Sequence, residues 1–326
     1  MASNPNRLRL GVALLLDPPV GQQVDGLRRA VGDPSLGRVA PHVTLVPPVN
    51  VRADHLPAAL ARLRAAAASQ SGPLRLTLGP PASFLPANPV LYMEVGGDLE
   101  RLRILRDAVF APPLARRLTW PWVPHVTLAD GAEETRIAAA VAALDQYAVL
   151  ATFDRVVMLQ EQRGRAWTAL ADACLGRPAV VGTGGLSMEL VRGRVLDPEA
   201  LPIVEDACRE TESGREIRPP GRRCFPVVIT ARREGEVVGT VAAWKADDGC
   251  HVAVVVARRA RRQGVGGHLL AGVEAAVLGA GWQTTVLHAE GPPAFFRERS
   301  GWAFAGAGPY PAGAGAPSGY SNSTDE

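Results

Sequence analysis

Lysine is almost missing from this chain. Lys245 is the single lysine among 326 residues, so 34 of the 35 basic residues are arginine. Alongside 34 Gly and 28 Pro, this reflects GC-rich coding more than selection for guanidinium chemistry. A Walker-type phosphate loop, which needs Gly-Lys-Ser/Thr, is excluded. Cysteine is scarce too. Cys174, Cys208, Cys224 and Cys250 are scattered, with no C-x-x-C pair. That argues against a structural zinc or a disulfide framework and fits reduced thiols in a cytoplasm. Long apolar runs are lacking: Gly11–Leu16 and His251–Ala257 are strand-sized, far short of the roughly 20 residues that span a bilayer. Arg7 and Arg9 precede an apolar run that ends at Asp17-Pro18 without a small-residue cleavage site, so no signal peptide is expected. Nor is there a strong net charge. The total is +3, too small for a general nucleic-acid binder. The first 180 residues hold 19 Arg against 15 acids, or +4, and the remainder is at −1. The expectation is a cytoplasmic protein with no membrane partner.

What is present is ordinary globular material, 47% apolar and 21% charged, in a length that suits two domains. Gly176–Gly185 has turn formers at both ends and no helical period, and is expected to be a linker between residues 1–175 and 186–305. The Gly-, Pro- and Ala-rich tail 306–326 is expected to be disordered. In the first domain, strands are expected at Leu8–Leu16, Leu74–Leu78, Val90–Val95, His125–Leu128, Phe153–Leu159 and Ala166–Ala171. They alternate with helices at Val20–Val31, Ala53–Ala68, Leu99–Phe110 and Glu133–Leu144. In the second, Leu186–Val191 is a strand and Asp197-Pro-Glu starts a helix running to about Arg209. Strands Phe225–Ala231, Glu236–Trp244 and His251–Ala257 follow, then helix Leu269–Leu278, strand Thr284–His288 and a short helix Pro293–Arg299.

One pentapeptide occurs twice, letter for letter: Pro41-His-Val-Thr-Leu45 and Pro124-His-Val-Thr-Leu128. The repetition suggests a domain of two related halves. Residues i and i+2 of a strand share a face, so His42 pairs with Thr44 and His125 with Thr127. If the halves meet about a pseudo-twofold, two imidazoles and two hydroxyls converge in one cleft. That set suits phosphodiester chemistry: one imidazole takes a proton from the nucleophile, the other protonates the leaving oxygen, and the hydroxyls hold non-bridging oxygens. A single His-x-Thr would be read as a strand histidine satisfying backbone groups, but two identical copies weigh against that. A zinc site needs further ligands, and no acid or Cys stands at fixed spacing from either motif, so no metal is expected. His55, at a polar helix start, is expected to be exposed.

These paired segments resemble the His-x-Thr signatures of the 2H phosphoesterase superfamily, which includes the RNA 2′,3′-cyclic phosphodiesterases also called 2′-5′ RNA ligases. The resemblance spans about residues 7–175. It implies a bilobal, duplicated α+β fold with the site between the lobes. It assigns His42 and His125 as general acid and base, leaving open which is which, and Thr44 and Thr127 as phosphate binders. The substrates it implies are a small nucleotide or an RNA end.

In the second domain Arg261-Arg-Gln-Gly-Val-Gly-Gly-His268 lies between an apolar strand and an amphipathic helix. Glycines let a backbone approach a ligand, and the first amides of a helix face an anion. The spacing departs from a Rossmann fingerprint. The bland alternative is a solvated turn with a run of arginines. The segment is similar to the acetyl-CoA loop of the GCN5-related N-acetyltransferases (GNAT), a mixed-sheet α/β fold, over about residues 186–305. The resemblance implies acetyl-CoA as co-substrate and an amine acceptor. It places the pantetheine arm on Val254, Val255 and Val256, and the pyrophosphate on Arg261, Arg262, Gln263, Gly264, Val265, Gly266 and Gly267. Where relatives carry a Tyr that protonates the departing thiolate, this chain has Arg297, and an arginine cannot donate a proton near neutrality. Arg297 can stabilise the thiolate charge, or water, Ser300, Tyr310 or Tyr320 can serve as the acid, and His268 and His288 are candidate bases. Three readings follow: a bifunctional phosphodiesterase and acetyltransferase; an active acetyltransferase with a non-catalytic nucleotide- or RNA-binding module; or an active phosphoesterase with an acyl-CoA sensor.

Overall fold

The computed structural model describes residues 6–183, 186–210, 224–246, 249–279, 285–289 and 303–304. The chain divides into two compact units, Met1–Arg177 and Pro178–Glu326.

The first unit is built on one eight-stranded antiparallel sheet. Its strands are β1 (Arg7–Leu15), β2 (His42–Arg52), β3 (Leu74–Ser83), β4 (Val90–Gly97), β5 (His125–Asp130), β6 (Val149–Phe153), β7 (Arg155–Glu161) and β8 (Trp167–Cys174). Their order across the sheet is β6-β3-β4-β5-β2-β1-β7-β8. Helices α1 (Val20–Val31), α2 (Leu56–Ala68), α3 (Leu99–Val109) and α4 (Glu134–Ala143) complete the unit. The apolar period of α1 puts Val24 and Val31 into the core, and Gly32 ends the helix at φ +73°, a left-handed cap that glycine adopts without strain.

The two lobes are the halves β6-β3-β4-β5 and β2-β1-β7-β8. They join at β5–β2 through a single backbone pair, Val43 with Val126. Other seams are longer; β1 and β2 pair over eight positions. Helices close the thin seam from behind: α1 packs on β5 and α3 on β2. The core lies on that side, with Leu10, Leu14, Val43, Leu45, Val126 and Leu128 fully excluded from solvent.

The second unit holds β9 (Ala179–Thr183), β10 (Leu186–Val195), β11 (Cys224–Arg233), β12 (Glu236–Ala246), β13 (Gly249–Val256), β14 (Thr285–Ala289) and β15 (Ala303–Phe304), with α5 (Leu201–Glu210) and α6 (Val265–Gly279). The sheet runs β15-β14-β13-β12-β11-β10-β9 and is mixed: β13–β14 and β14–β15 are parallel, the rest antiparallel. Leu269, Leu270 and Val273 of α6 pack on one face, and Ala200, Val204 and Ala207 on the other.

Two expectations need correction. The expected linker Gly176–Gly185 contains β9 at Ala179–Thr183, an edge strand paired with β10. The expected strand Phe153–Leu159 is two strands divided at Asp154, β6 pairing with β3 and β7 with β1. The expected helix Pro293–Arg299 and the tail 306–326 lie outside the described residues.

Candidate active site

The strand period of two sorts the repeated pentapeptides. Val43, Leu45, Val126 and Leu128 face the core at 0% exposure. His42, Thr44, His125 and Thr127 therefore stand on the opposite face, where each is half-buried. Across the seam Val43 pairs with Val126, so His42 and Thr44 flank that pair on β2 and His125 and Thr127 flank it on β5. The four predicted residues of the first domain thus form a two-by-two patch on the seam.

Both histidines are held alike. His42 Nδ1 donates to the Ala40 carbonyl at 2.7 Å and His125 Nδ1 to the Val123 carbonyl at 2.8 Å, each two residues upstream. A carbonyl only accepts, so each ring carries its proton on Nδ1 when neutral and keeps Nε2 for exchange with substrate. Burial lowers both pKa values from 6.5, chiefly by desolvation. At His42 the carbonyl contact opposes this, while the Arg28 guanidinium and His125 add to it.

Several supporting residues carried no local sequence signal. Arg28, 2% exposed at the end of α1, bonds Asp33 and Asp25 at 2.8 Å each, the Val39 carbonyl at 3.0 Å and Ser35 Oγ at 3.3 Å. It pins the loop that delivers His42. The Trp122 indole Nε1–H donates to the Thr44 carbonyl at 2.8 Å. The Arg106 guanidinium lies 5.4 Å over the Trp122 ring and 4.2 Å over Phe110. His125 meets Phe84 and Tyr92 edge-on, at 5.2 and 5.4 Å between centroids. Tyr92 is opposite Thr127 in the ladder, so these rings wall one flank of the patch. His55 is exposed. Among the described residues no group of three or more His, Cys, Asp or Glu is placed to hold a metal, and no helix is long and apolar enough to cross a membrane.

In the second unit, β13 pairs with β14 among the described residues from Cys250–Thr285 to Val254–Ala289. Val255 and Val256 continue beyond that point, paired on their other side with Thr240 and Gly239 of β12. Then the chain turns sharply, with Arg262 at φ +61° and Gly264 at φ +82°, into the first turn of α6. A turn that aims helix amides outward fits a ligand ending in phosphates. The expected residues divide by role. Val254, Val255 and Val265 are 4%, 5% and 1% exposed, so their side chains are core and only their backbone is on offer. Gln263 is committed within the loop, accepting from Arg233 Nη1 at 2.6 Å and donating to the Arg259 carbonyl at 2.9 Å. Arg261 and Arg262 are exposed, Gly266 is half-buried and Gly267 buried. A cavity of about 520 Å³ at this end of β13 is lined by Val256 and Arg261 from that set, with Arg232, Arg258 and Arg259 beside Glu199, Asp206 and Glu236. His268 is half-buried at the start of α6. Burial pushes the Cys250 thiol up to about 12, so it stays protonated at neutral pH. Arg297, Ser300, Tyr310, Tyr320 and the His288 side chain lie outside the described residues.

An antiparallel bilobal sheet bearing a doubled His-x-Thr motif fits a phosphoesterase, and a mixed sheet leading into a glycine turn fits an acyl-CoA-dependent transferase. Residues 16–165 match the family model of the 2′-5′ RNA ligase superfamily, and residues 195–294 that of the acetyltransferase (GNAT) family. The chain is thus a 2H phosphoesterase domain followed by a GNAT acetyltransferase domain. It is 26% identical over 172 residues to a Bacillus cereus (strain B4264) protein named "Putative phosphoesterase", covering 52% of this chain and 98% of that one. A similarly named Bacillus cytotoxicus protein is 28% identical over 173 residues, with the same coverage. Among solved structures, E. coli LigT complexed with 3′-AMP aligns with TM-score 0.38 and 19% identity over 52% of this chain and 98% of that one. A Thermus thermophilus protein aligns with TM-score 0.36 and 19% identity over 51% and 97%.

Proposed function

We propose that this is a bifunctional enzyme: a phosphodiesterase acting on 2′,3′-cyclic phosphate RNA ends or small cyclic nucleotides, and an acetyl-CoA-dependent N-acetyltransferase. The observation that carries the first activity is the Val43–Val126 pair, which sets two imidazoles and two hydroxyls on one half-open patch.

In the reaction, Thr44 and Thr127 hydroxyls donate to the non-bridging phosphate oxygens. One histidine, neutral at Nε2, takes a proton from water as the water oxygen bonds to phosphorus. The other, protonated at Nε2, gives its proton to the ribose oxygen as the P–O bond breaks. The product is a phosphomonoester with a free hydroxyl, and the pair ends with its protons exchanged. The incoming phosphate favours protonation of a neighbouring imidazole and so offsets the desolvation that lowers both rings. Acid and base are both imidazoles, so these steps close without a metal.

In the second unit acetyl-CoA supplies the thioester. The backbone of β13 at Val254–Val256 holds the pantetheine arm, and the amides from Gly264 to Gly267, with Arg261 and Arg262, hold the pyrophosphate. The acceptor is an amine.

The test is hydrolysis of a model 2′,3′-cyclic nucleotide by wild type, His42→Ala and His125→Ala, with CoA release from acetyl-CoA across an amine panel in parallel. Loss of hydrolysis in both variants with folding intact is expected. Full activity in either variant ends the phosphodiesterase assignment.

A further inference from the structure

One arginine beside the glycine turn of the second unit lacks a counter-charge. Arg233 closes β11 and is half-buried. Its Nη1 donates to Gln263 Oε1 at 2.6 Å, across 30 residues of sequence. Its Nε and Nη2 are buried and make no hydrogen bond. Among the described residues no carboxylate lies within ion-pair distance of it. Its ladder partner on β12 is Glu236, and that carboxylate turns to Arg259 Nη2 at 2.6 Å instead.

Buried charges are ordinarily paired and buried N–H groups ordinarily bonded. The preceding residue shows the ordinary case: Arg232 is 3% exposed and pairs with Asp197 and Glu199. Arg233 points to the other face of the strand, the face on which Ile229 and Ala231 pack with Leu269 and Val273 of α6. Its unpaired charge is therefore held on the α6 side.

Gln263 ties that charge to the turn. Its Oε1 accepts from Arg233 while its Nε2 donates to the Arg259 carbonyl at 2.9 Å. The next residue, Gly264, takes φ +82° and leads into α6. Arg261 and Arg262, on the same turn, are exposed, so salt screens them. A guanidinium with buried nitrogens is screened much less. An anion seated on the first amides of α6 would satisfy those amides and supply the negative charge that Arg233 lacks.

We propose that Arg233 is a positioning residue of the acetyl-CoA site, whose charge is unbalanced in the free protein and balanced by the pyrophosphate of the bound ligand. This rests on the acetyltransferase reading and deepens it. Arg233 lies outside the glycine turn and acts on the ligand through Gln263 and through space.

The experiment titrates the full chain calorimetrically with three probes: acetyl-CoA, inorganic pyrophosphate, and S-acetylpantetheine, which keeps the thioester arm without the pyrophosphate. Urea midpoints are taken without ligand. The variants are Arg233→Met, Arg233→Lys and Gln263→Glu, the last setting a carboxylate against Arg233. In Arg233→Met, acetyl-CoA and pyrophosphate are expected to bind at least tenfold more weakly, with S-acetylpantetheine unchanged and the ligand-free midpoint held or raised. Arg233→Lys keeps most of the affinity. Gln263→Glu raises the ligand-free midpoint and weakens both phosphate ligands. Wild-type acetyl-CoA affinity in Arg233→Met overturns the proposal. So does an equal loss for acetyl-CoA and S-acetylpantetheine with a lowered midpoint, which marks Arg233 as structural. If Arg233→Met fails to fold, Gln263→Glu decides, and a wild-type midpoint and affinity there overturn it. Failure of the underlying reading looks different: a wild type that binds pyrophosphate but not acetyl-CoA, with pyrophosphate binding still weakened in Arg233→Met, removes acetyl-CoA and keeps Arg233 as an anion-positioning residue.

Discussion

Trp122 reaches across the seam between the two lobes and donates its indole N–H to the Thr44 carbonyl at 2.8 Å. The strands that carry the histidines share one backbone pair, so this bond is a large part of what fixes their separation. Three residues later the same segment becomes His125. One side chain therefore couples the approach to the second motif with the backbone of the first. Trp122→Phe keeps a ring for Arg106 to cover and removes the donor. Its expected effect is a fall in kcat of about tenfold, since misplacing reacting groups by about 1 Å can cost up to 10²-fold, with KM and melting temperature little changed. Steady-state kinetics and a thermal melt on one preparation check this. An equal loss in kcat and stability would mark Trp122 as merely structural.

The His42 and His125 imidazoles have pKa values pulled below 6.5 by burial. A base must be neutral and an acid protonated, so the kcat/KM profile, which reports the free enzyme, peaks below pH 6.5. The two rings influence one another, so the limbs belong to the pair. Bound phosphate raises both values, which moves the kcat profile to higher pH than that of kcat/KM. Rate profiles between pH 4.5 and 8.5 decide; a kcat/KM optimum above 7 contradicts it.

The same shift has a stability consequence of fixed sign. The unfolded chain protonates His42 at about pH 6.5, and the folded chain does so only at lower pH. The contribution is fully present above 6.5 and is lost as pH falls from 6.5 through the folded value. Denaturant midpoints should therefore drop over this window in wild type and drop less in a His42→Gln, His125→Gln double variant.

Arg28 is a stronger test of packing. It and Asp33 have side chains 3% and 0% exposed, so Arg28→Met strands a buried carboxylate. Breaking one side of such a pair costs about 3–5 kcal/mol. Restoring packing with Asp33→Asn in the same chain should recover part of it. Urea midpoints across the single and double variants measure the coupling.

The local sequence carries the paired motifs and leaves their supporting contacts unseen, for a physical reason. The pentapeptides and the Val20–Val31 period are local, and α1 has those bounds. The Thr44–Trp122 bond joins residues 78 apart, and no periodicity records such a contact. Strand partners are equally non-local: the apolar run through residues 149–159 is nearly continuous, yet the chain leaves β3 for β1 at Asp154. β9 was hidden because Gly and Pro around Ala179–Thr183 dominate a local reading, while an edge strand needs little more than a few β-branched residues and a partner.

Gly264 offers a test confined to the second unit. Its φ of +82° is a region where a Cβ costs about 1–2 kcal/mol, and it stands where the proposed pyrophosphate cradle begins. Gly264→Ala should therefore lower stability slightly and, by turning the first amides of α6 away from the ligand, weaken acetyl-CoA binding by at least tenfold. Arg262 is the internal comparison. It holds φ +61° with a side chain already present, so Arg262→Gly relaxes the turn while removing one guanidinium. If backbone amides dominate anion binding, Arg262→Gly loses much less affinity than Gly264→Ala; if guanidinium charge dominates, the order reverses and the salt dependence of binding steepens in Gly264→Ala relative to Arg262→Gly. Calorimetric titration of acetyl-CoA at two ionic strengths distinguishes these, and wild-type-like affinity in both variants would remove the loop from the cofactor site.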